Sequence, residues 1–296
     1  MPTSPSSSAQ AARRRLSDQL REIRQDAGLT GAQLAEQAGW SGGKIKVSRI
    51  ENAARAISAA DLRIWCRVCA VPQERAEELL AELRAAEGMW TTYRRLHRAG
   101  LRVAQESVRE RYQRLRLLRG YQTRGVPGLL QTADYTRAAL MTVREEENLR
   151  PDDADLNAAV AERMNRQMVL RRGMRPRTFL FVVEEDTLWY RPYPRQVHID
   201  QLRYLRQVAT GRLASVVFGV IPRTVGRHGV RPRESFIITD DALVSVEMVS
   251  GYLRISTPDE VAMYVQAWER LNGLTVVGDE AAALVDRALD DLGGGG

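Results

Sequence analysis

The chain has 296 residues, of which 44% are hydrophobic and 27% charged, and a net charge of +7; this suits one large or two modest globular domains. Its two cysteines, Cys66 and Cys69, exclude a disulfide framework and make a reducing compartment the simpler expectation. The opening Met-Pro-Thr-Ser-Pro-Ser-Ser-Ser has no apolar stretch, and the longest apolar run, Leu213–Ile221, falls far short of the ~20 residues of a membrane helix, so a cytoplasmic protein is expected. Charge is unevenly spread: +5 through Pro72, +4 from Gln73 to Gly120 and −2 beyond. A polyanion-binding module gives such a footprint, and so does a solvated arginine-rich surface. Lys44 and Lys46 are the only lysines; every other cation but histidine is arginine.

Residues 1–12 are rich in Ser, Pro and Ala and read as a disordered arm. Leu16, Leu20, Ile23 and Ala27 then recur on one helical face. Gly28 is placed to end that helix, and Thr30 to cap the next one, which turns Leu34, Ala35 and Ala38 inward and stops at Gly39. After Trp40-Ser41-Gly42-Gly43, a third helix is expected from about Lys44 to Asn52. It buries Val47 and Ile50 and leaves Lys44, Lys46, Ser48 and Arg49 largely outward. Ser58 and Asp61 resemble a capping box with Asp for the usual Glu or Gln; the helix they open carries Leu62, Ile64, Trp65 and Val68. Gln73–Arg119 reads as helical, broken at Gly88 and Gly100. Val126-Pro127-Gly128 is a break before a helix from about Thr132, and another helix is expected near Asp152–Arg172. Strands are expected at Phe179–Val183, Ala214–Val220, Ser235–Thr239, Leu243–Met248 and Tyr252–Ser256, with helices at Val197–Thr210 and Asp259–Asn272. Gly293–Gly296 reads as a flexible end.

The fold class expected is an all-α helix-turn-helix (lambda-repressor-like) domain, a helical connector and an α+β or α/β domain. The boundaries are 1–12 (arm), 13–72 (DNA-binding domain), 73–120 (connector), 121–288 (regulatory or partner-binding domain) and 289–296 (tail). Two short helices around a tight glycine turn, the second presenting cations, match the geometry in which the second helix enters the major groove.

The blocks Leu20-Arg21-x-x-Arg24, Ala27-Gly28-Leu29-Thr30, Leu34-Ala35, Gly39-Trp40-Ser41 and Lys46-Val47-Ser48-Arg49-Ile50-Glu51-Asn52 resemble the phage-repressor-type helix-turn-helix of the XRE family, over roughly residues 16–71. The resemblance implies Lys44, Lys46 and Ser48 near base edges, Arg49 and Gln33 on phosphates or bases, and Thr30 on a phosphate as well as capping. Arg49 could instead pair with Glu51 or a neighbouring helix, and Thr30 could cap alone. Arg13-Arg14-Arg15 could reach DNA from the arm or stay a solvated charge run. Three departures stand out: Gly31 replaces the Gln that commonly follows the capping Thr, the turn before Val47 is about two residues longer, and Ala53 replaces the usual Gly.

From about Trp90 to Ala288 the chain resembles actinobacterial antitoxin-like transcriptional regulators of the WhiJ type. The resemblance rests on Val126-Pro-Gly-Leu-Leu-Gln-Thr132 with Tyr135, Arg163-x-x-x-Gln167 and Phe181-Val-Val-Glu184-Glu185 with Leu188. Gln201-Leu202 with Leu205, Ile221-Pro222 with Gly226 and His228, and Phe236 with Val246-Glu247 and Gly251 complete it. It implies a repressor-type regulator on a double-stranded DNA operator, whose second domain meets a small acidic protein encoded nearby or another signal. A homodimer is expected from two-fold operators, with no membrane, cofactor, metal or catalytic residue. The rival readings are an antitoxin-like protein that sequesters its partner and, with least support, an enzyme around His228. Cys66-x-x-Cys69 has metal-site spacing but lies in an apolar helix without further ligands nearby, which reads as core.

Overall fold

The computed structural model describes residues 5–92, 97, 100–149, 151–171, 176–249 and 251–293. The chain divides into two units, Met1–Thr91 and Thr92–Gly296. The first holds α1 (Pro5–Asp26), α2 (Gly31–Gln37), α3 (Gly43–Glu51), α4 (Ala59–Val68) and α5 (Gln73–Met89). Leu16 and Leu20 of α1, Leu34 and Ala35 of α2, Val47 and Ile50 of α3 and Leu62, Trp65 and Cys66 of α4 form one core, and Leu79, Leu80 and Leu83 of α5 complete it. The expected connector 73–120 is therefore no connector: its first third is core of the first unit. The arm is also shorter than expected, because Pro5–Ala12 belongs to α1; residues 1–4 lie outside the described residues. Arg13, Arg14 and Arg15 ride exposed on that helix and not on a flexible arm.

Punctuation follows the residues. Gly28 and Gly39 take φ of +67° and +65°, a region open to glycine without steric cost. Ser58 accepts a hydrogen bond from the Asp61 amide at 3.0 Å, but the Asp61 carboxylate does not close the box. It pairs instead with Lys46, Nζ to Oδ1 at 2.7 Å, with side chains only 13% and 19% exposed. The same ammonium sits 4.1 Å from the Trp40 ring centroid, an attraction to the negative ring face. Lys46 is thus a strut between α3, the preceding turn and α4. This corrects its expected place beside base edges: Lys46 lies two residues, about 200° around the helix, from Lys44 and so turns to the domain side.

Cys66 and Cys69 are buried as free thiols. Burial pushes both up, Cys69 to about 11, so both stay protonated and inert at neutral pH.

The second unit is α+β. A short β1 (Trp90–Thr92) lies at the division, followed by α6 (Leu101–Arg114), β2 (Leu117–Gln122), α7 (Ala133–Glu146), α8 (Asp153–Arg166) and β3 (Thr178–Glu184). Then come α9 (Asp186–Trp189), α10 (Arg195–Ala209), β4 (Val216–Ile221), β5 (Phe236–Thr239), β6 (Leu243–Met248) and β7 (Gly251–Ile255). Two helices end the unit, α11 (Pro258–Asn272) and α12 (Gly278–Asp291). Its strands run in the order β7-β6-β5-β2-β3-β4. β2, β3 and β4 are parallel, whereas β5, β6 and β7 add antiparallel to β2.

Alternate residues split the sheet's two faces, as a pleat requires. Phe179, Phe181, Val183, Phe218 and Val220 pack with α10 and α12. Tyr121 and Phe236 point the other way, toward Tyr264 of α11. The helical reading of Gln73–Arg119 runs into β2, at the centre, whose first residues Leu117–Arg119 are strand. Arg116, Arg119 and Gly120 disguise it, yet Gly120 is what lets Phe181 cross it, since a Cβ there would lie 3.1 Å from the Phe181 ring. The expected tail from 289 is corrected as well. Leu284, Val285, Ala288, Leu289 and Leu292 are buried at helical spacing in α12 and just after it; residues 294–296 lie outside the described residues.

Two outcomes test this account of the first unit. Ala53 holds φ of +55°, which costs an L-residue about 1–2 kcal/mol. Ala53→Gly relieves it against a smaller entropic cost, so the urea midpoint should rise, equivalent to about 0.5–1 kcal/mol. For the Lys46–Asp61 strut, Lys46→Ala and Asp61→Ala should each destabilise by about 1–3 kcal/mol. Their double variant should cost less than the sum; strict additivity would mean the pair contributes nothing.

Candidate nucleic-acid interface

α3 owes its placement to its buried side. Val47 and Ile50 are each 1% exposed, and Glu51 beside them is 8% exposed. Glu51 accepts from Arg24 through both oxygens, Nε at 2.6 Å and Nη2 at 3.0 Å. Arg24 also donates to the Leu29 carbonyl at 2.7 Å, and Arg21 to the Glu51 carbonyl at 2.6 Å and to Asn52 Oδ1 at 2.9 Å. α1 therefore grips the C-terminal end of α3 with two guanidinium groups. The hydrogen bond to Glu51 raises Arg24 still further above its ordinary range. Since Glu51 is already taken, the alternative reading of Arg49 as its partner is not what the structure holds: Arg49 is exposed.

α2 is placed by a complete capping box. Thr30 Oγ1 accepts from the Gln33 amide at 3.3 Å, and the Thr30 amide donates to Gln33 Oε1 at 2.8 Å. The hydroxyl also donates to that oxygen at 2.8 Å. Thr30 and Gln33 thus satisfy one another, and their side chains have a local duty whatever else they touch. Gly31 faces α3 at close range: a Cβ there would lie 3.4 Å from Val47 Cγ1. That is an ordinary van der Waals distance, so nothing in the packing explains glycine at a position where the XRE resemblance leads one to expect Gln.

Between the start of α2 and the outer face of α3 lies an open groove of about 630 Å³, whose lining includes Thr30, Lys44, Ile45, Ser48 and Arg49. Four of the six expected contact residues therefore meet on one surface. Gln33 adjoins it through the Thr30 box, and Lys46 is turned away. Ser48 is exposed and accepts from Asn52 Nδ2 at 3.3 Å. Sequence reasoning missed Ile45, which is 60% exposed in the middle of this cationic face. The signal was available: a helix that buries Val47 and Ile50 has no room inward for an isoleucine two residues before Val47. Polar and apolar probes side by side suit base edges, where hydrogen-bonding atoms alternate with the thymine methyl.

In the second unit, the string from Val126 to Thr132 is held by glutamines. Gln131 donates to the Val126 carbonyl at 2.9 Å, and Gln167 to the Gln131 carbonyl at 2.6 Å. Gln201 donates to the Leu130 carbonyl and accepts from the Thr132 amide, each at 2.7 Å. Pro127 and Gly128 open a 3₁₀ turn that drops Leu129 and Leu130 into the core. This segment is a structural clasp. His228 is exposed on a loop at φ +45°. Glu247 faces solvent and accepts from Tyr252 at 3.3 Å. Among the described residues no group of three or more His, Cys, Asp or Glu side chains could hold a metal ion, and no helix is long and apolar enough to cross a membrane.

Residues 15–79 match the family described as a helix-turn-helix domain, so the groove belongs to a helix-turn-helix. Residues 105–287 match the family described as a domain of unknown function, DUF5753. No curated protein and no solved structure matches the chain. The second match spans well over half of the sequence, and the protein therefore belongs to the DUF5753 family, with a helix-turn-helix domain ahead of the family's own domain.

Proposed function

We propose that this protein is a cytoplasmic, sequence-specific DNA-binding transcriptional regulator of repressor type, acting as a homodimer on a two-fold operator. The observation that carries the reading is the exposed face of α3, where Lys44, Ile45, Ser48 and Arg49 share one groove while Val47 and Ile50 are buried in the core and Arg24 holds Glu51. A helix held from behind and polar in front can enter a major groove without distorting its own domain. Lys44 and Arg49 neutralise phosphates or bind base edges, Ser48 and Ile45 read bases, and Thr30 and Gln33 stand at the groove's rim near the backbone of the DNA.

The second unit serves as a binding module and not as an enzyme. Following its resemblance to WhiJ-type antitoxin-like regulators, it takes a small acidic partner protein or another signal. Such a partner shifts DNA affinity by binding two states of the regulator unequally.

Selection from a random DNA pool with the purified full chain tests the reading. One palindromic motif should emerge, with half-sites about one helical turn apart. The Lys44→Ala/Arg49→Ala variant should flatten that motif and reduce the slope of log affinity against log salt by about 2. Weak binding without a motif, equally salt-dependent in both proteins, would sink the proposal.

A further inference from the structure

The parallel strands β2, β3 and β4 end at the same edge of the sheet, with Gln122 level with Val183 and Glu184 level with Ile221. Open sheets with parallel strands place their ligands outside such carboxyl ends. Here the next residues of each strand line a cleft of about 410 Å³: Thr123 and Arg124 after β2, Glu184 to Asp186 at the end of β3, and Arg223 after β4. Residues 222–235 leave β4 at the edge and return at β5, beyond β2. They must cross this end of the sheet, and they bring Arg227 into the cleft. The crossing has no helix or strand; connections of this length in a compact domain are uncommon and tend to be functional. It carries Arg223, Arg227, Arg231 and Arg233 against a single carboxylate, Glu234.

The charges inside the cleft can be paired one by one. Glu184, 8% exposed, accepts from the Tyr121 hydroxyl at 2.6 Å and from Arg227. Glu185, 5% exposed, accepts from the Arg223 amide at 2.7 Å and from Arg287 at 3.4 Å. Asp186 accepts from Arg223 Nε at 2.6 Å. All three carboxylates are engaged with guanidinium groups, so a metal or ammonium ion would have to break existing pairs to bind. The donors are in surplus. Among the described residues, Arg227 Nη1 is buried without a hydrogen-bond partner, and Arg124 is exposed at the cleft with no ion-pair partner. A buried donor left unmade is costly, and the remedy is an acceptor from outside.

We propose that this cleft binds a small anionic ligand, one bearing phosphate or carboxylate groups, through Arg227 and Arg124. Glu184 and Glu185 are the positioning residues. One holds the Arg227 guanidinium at a set angle from below, and the other ties down the start of the 222–235 crossing. The ligand deepens the signal arm of the proposed function, and its regulatory consequence rests on the DNA-binding reading. The binding itself does not.

Calorimetric titration of the full chain at low salt, with sodium pyrophosphate and with citrate, tests the site. Saturable one-site binding of pyrophosphate, citrate or both is expected, and the stronger probe tells phosphate from carboxylate recognition. Arg124→Gln, which breaks no pair in the fold, should weaken it about tenfold, and Arg227→Gln at least as much. Lys44→Ala/Arg49→Ala should leave it unchanged. Amide exchange should slow within residues 222–235 when the probe is bound. Absence of saturable binding with both probes overturns the proposal. So does affinity that survives Arg124→Gln but is lost in the Lys44→Ala/Arg49→Ala variant, which would place the anion on the DNA face. DNA affinity enters none of these readouts, so failure here leaves the DNA-binding reading standing.

Discussion

The first unit depends on the ion pair between Arg24 and Glu51. Side chains that are 13% and 9% exposed have given up most of their hydration, and such burial is repaid only when geometry is good and other hydrogen bonds are made. Both conditions hold: Arg24 meets Glu51 through two nitrogens and spends the third on the Leu29 carbonyl. Removing one partner from such a pair generally costs about 3–5 kcal/mol, because the other is left buried and charged. A hydrophobic pair of similar volume could match it in stability but not in direction. Leucines slide, whereas a two-point guanidinium–carboxylate contact sets the rotation of α3 about its own axis. That rotation decides which residues face outward, so the reading surface is set by a contact at the groove's own wall, which Arg24 and Glu51 line.

Much of the first unit was legible, and two residues of α3 were not. Glycine stops, Thr30 and Ser58 as caps, and the Val47–Ile50 spacing are local signals, and local chemistry satisfies them. The fate of Lys46 is not local. Its partner Asp61 comes from the next helix and Trp40 from the preceding turn, so an outward-facing periodicity could not foretell that the ammonium would be drawn sideways. Ile45 was overlooked because only polar residues of the outer face were counted as contacts, although Val47 and Ile50 already fill the inward positions.

In the second unit the strands buried on both faces were legible as apolar runs, and the central strand β2 was not. Leu117-Leu118-Arg119-Gly120-Tyr121-Gln122 has neither a clean alternation nor a continuous apolar run. Arg119 can sit in the sheet because its guanidinium lies 5.5 Å from the Trp268 ring centroid and pairs with Asp241. Gly120 can because Phe181 fills the space beside it. Both justifications come from residues 60 to 150 positions away. The Val126–Thr132 string is the opposite case: conspicuous in sequence, and explained by three glutamines that hold its backbone polar groups.

The cleft at the end of β2–β4 belongs to neither kind. In sequence Glu184-Glu185-Asp186 follows an apolar strand, and residues 222–235 are rich in arginine; nothing local relates the two. Topology brings them together, because a chain leaving the edge strand β4 for β5 has to pass over the ends of β3 and β2. Once there, the two charge runs cannot remain solvated independently: the buried glutamates require cations, and the loop supplies more donors than they can use. The excess is on the loop side, so the electrostatic remainder of the fold is positive at a site whose outer wall is the least regular segment of the unit. A ligand that neutralises the remainder must also restrain the segment carrying it, because Arg227 belongs to both. Under the proposed anion binding, contact with Arg227 and restraint of the 222–235 crossing are one event.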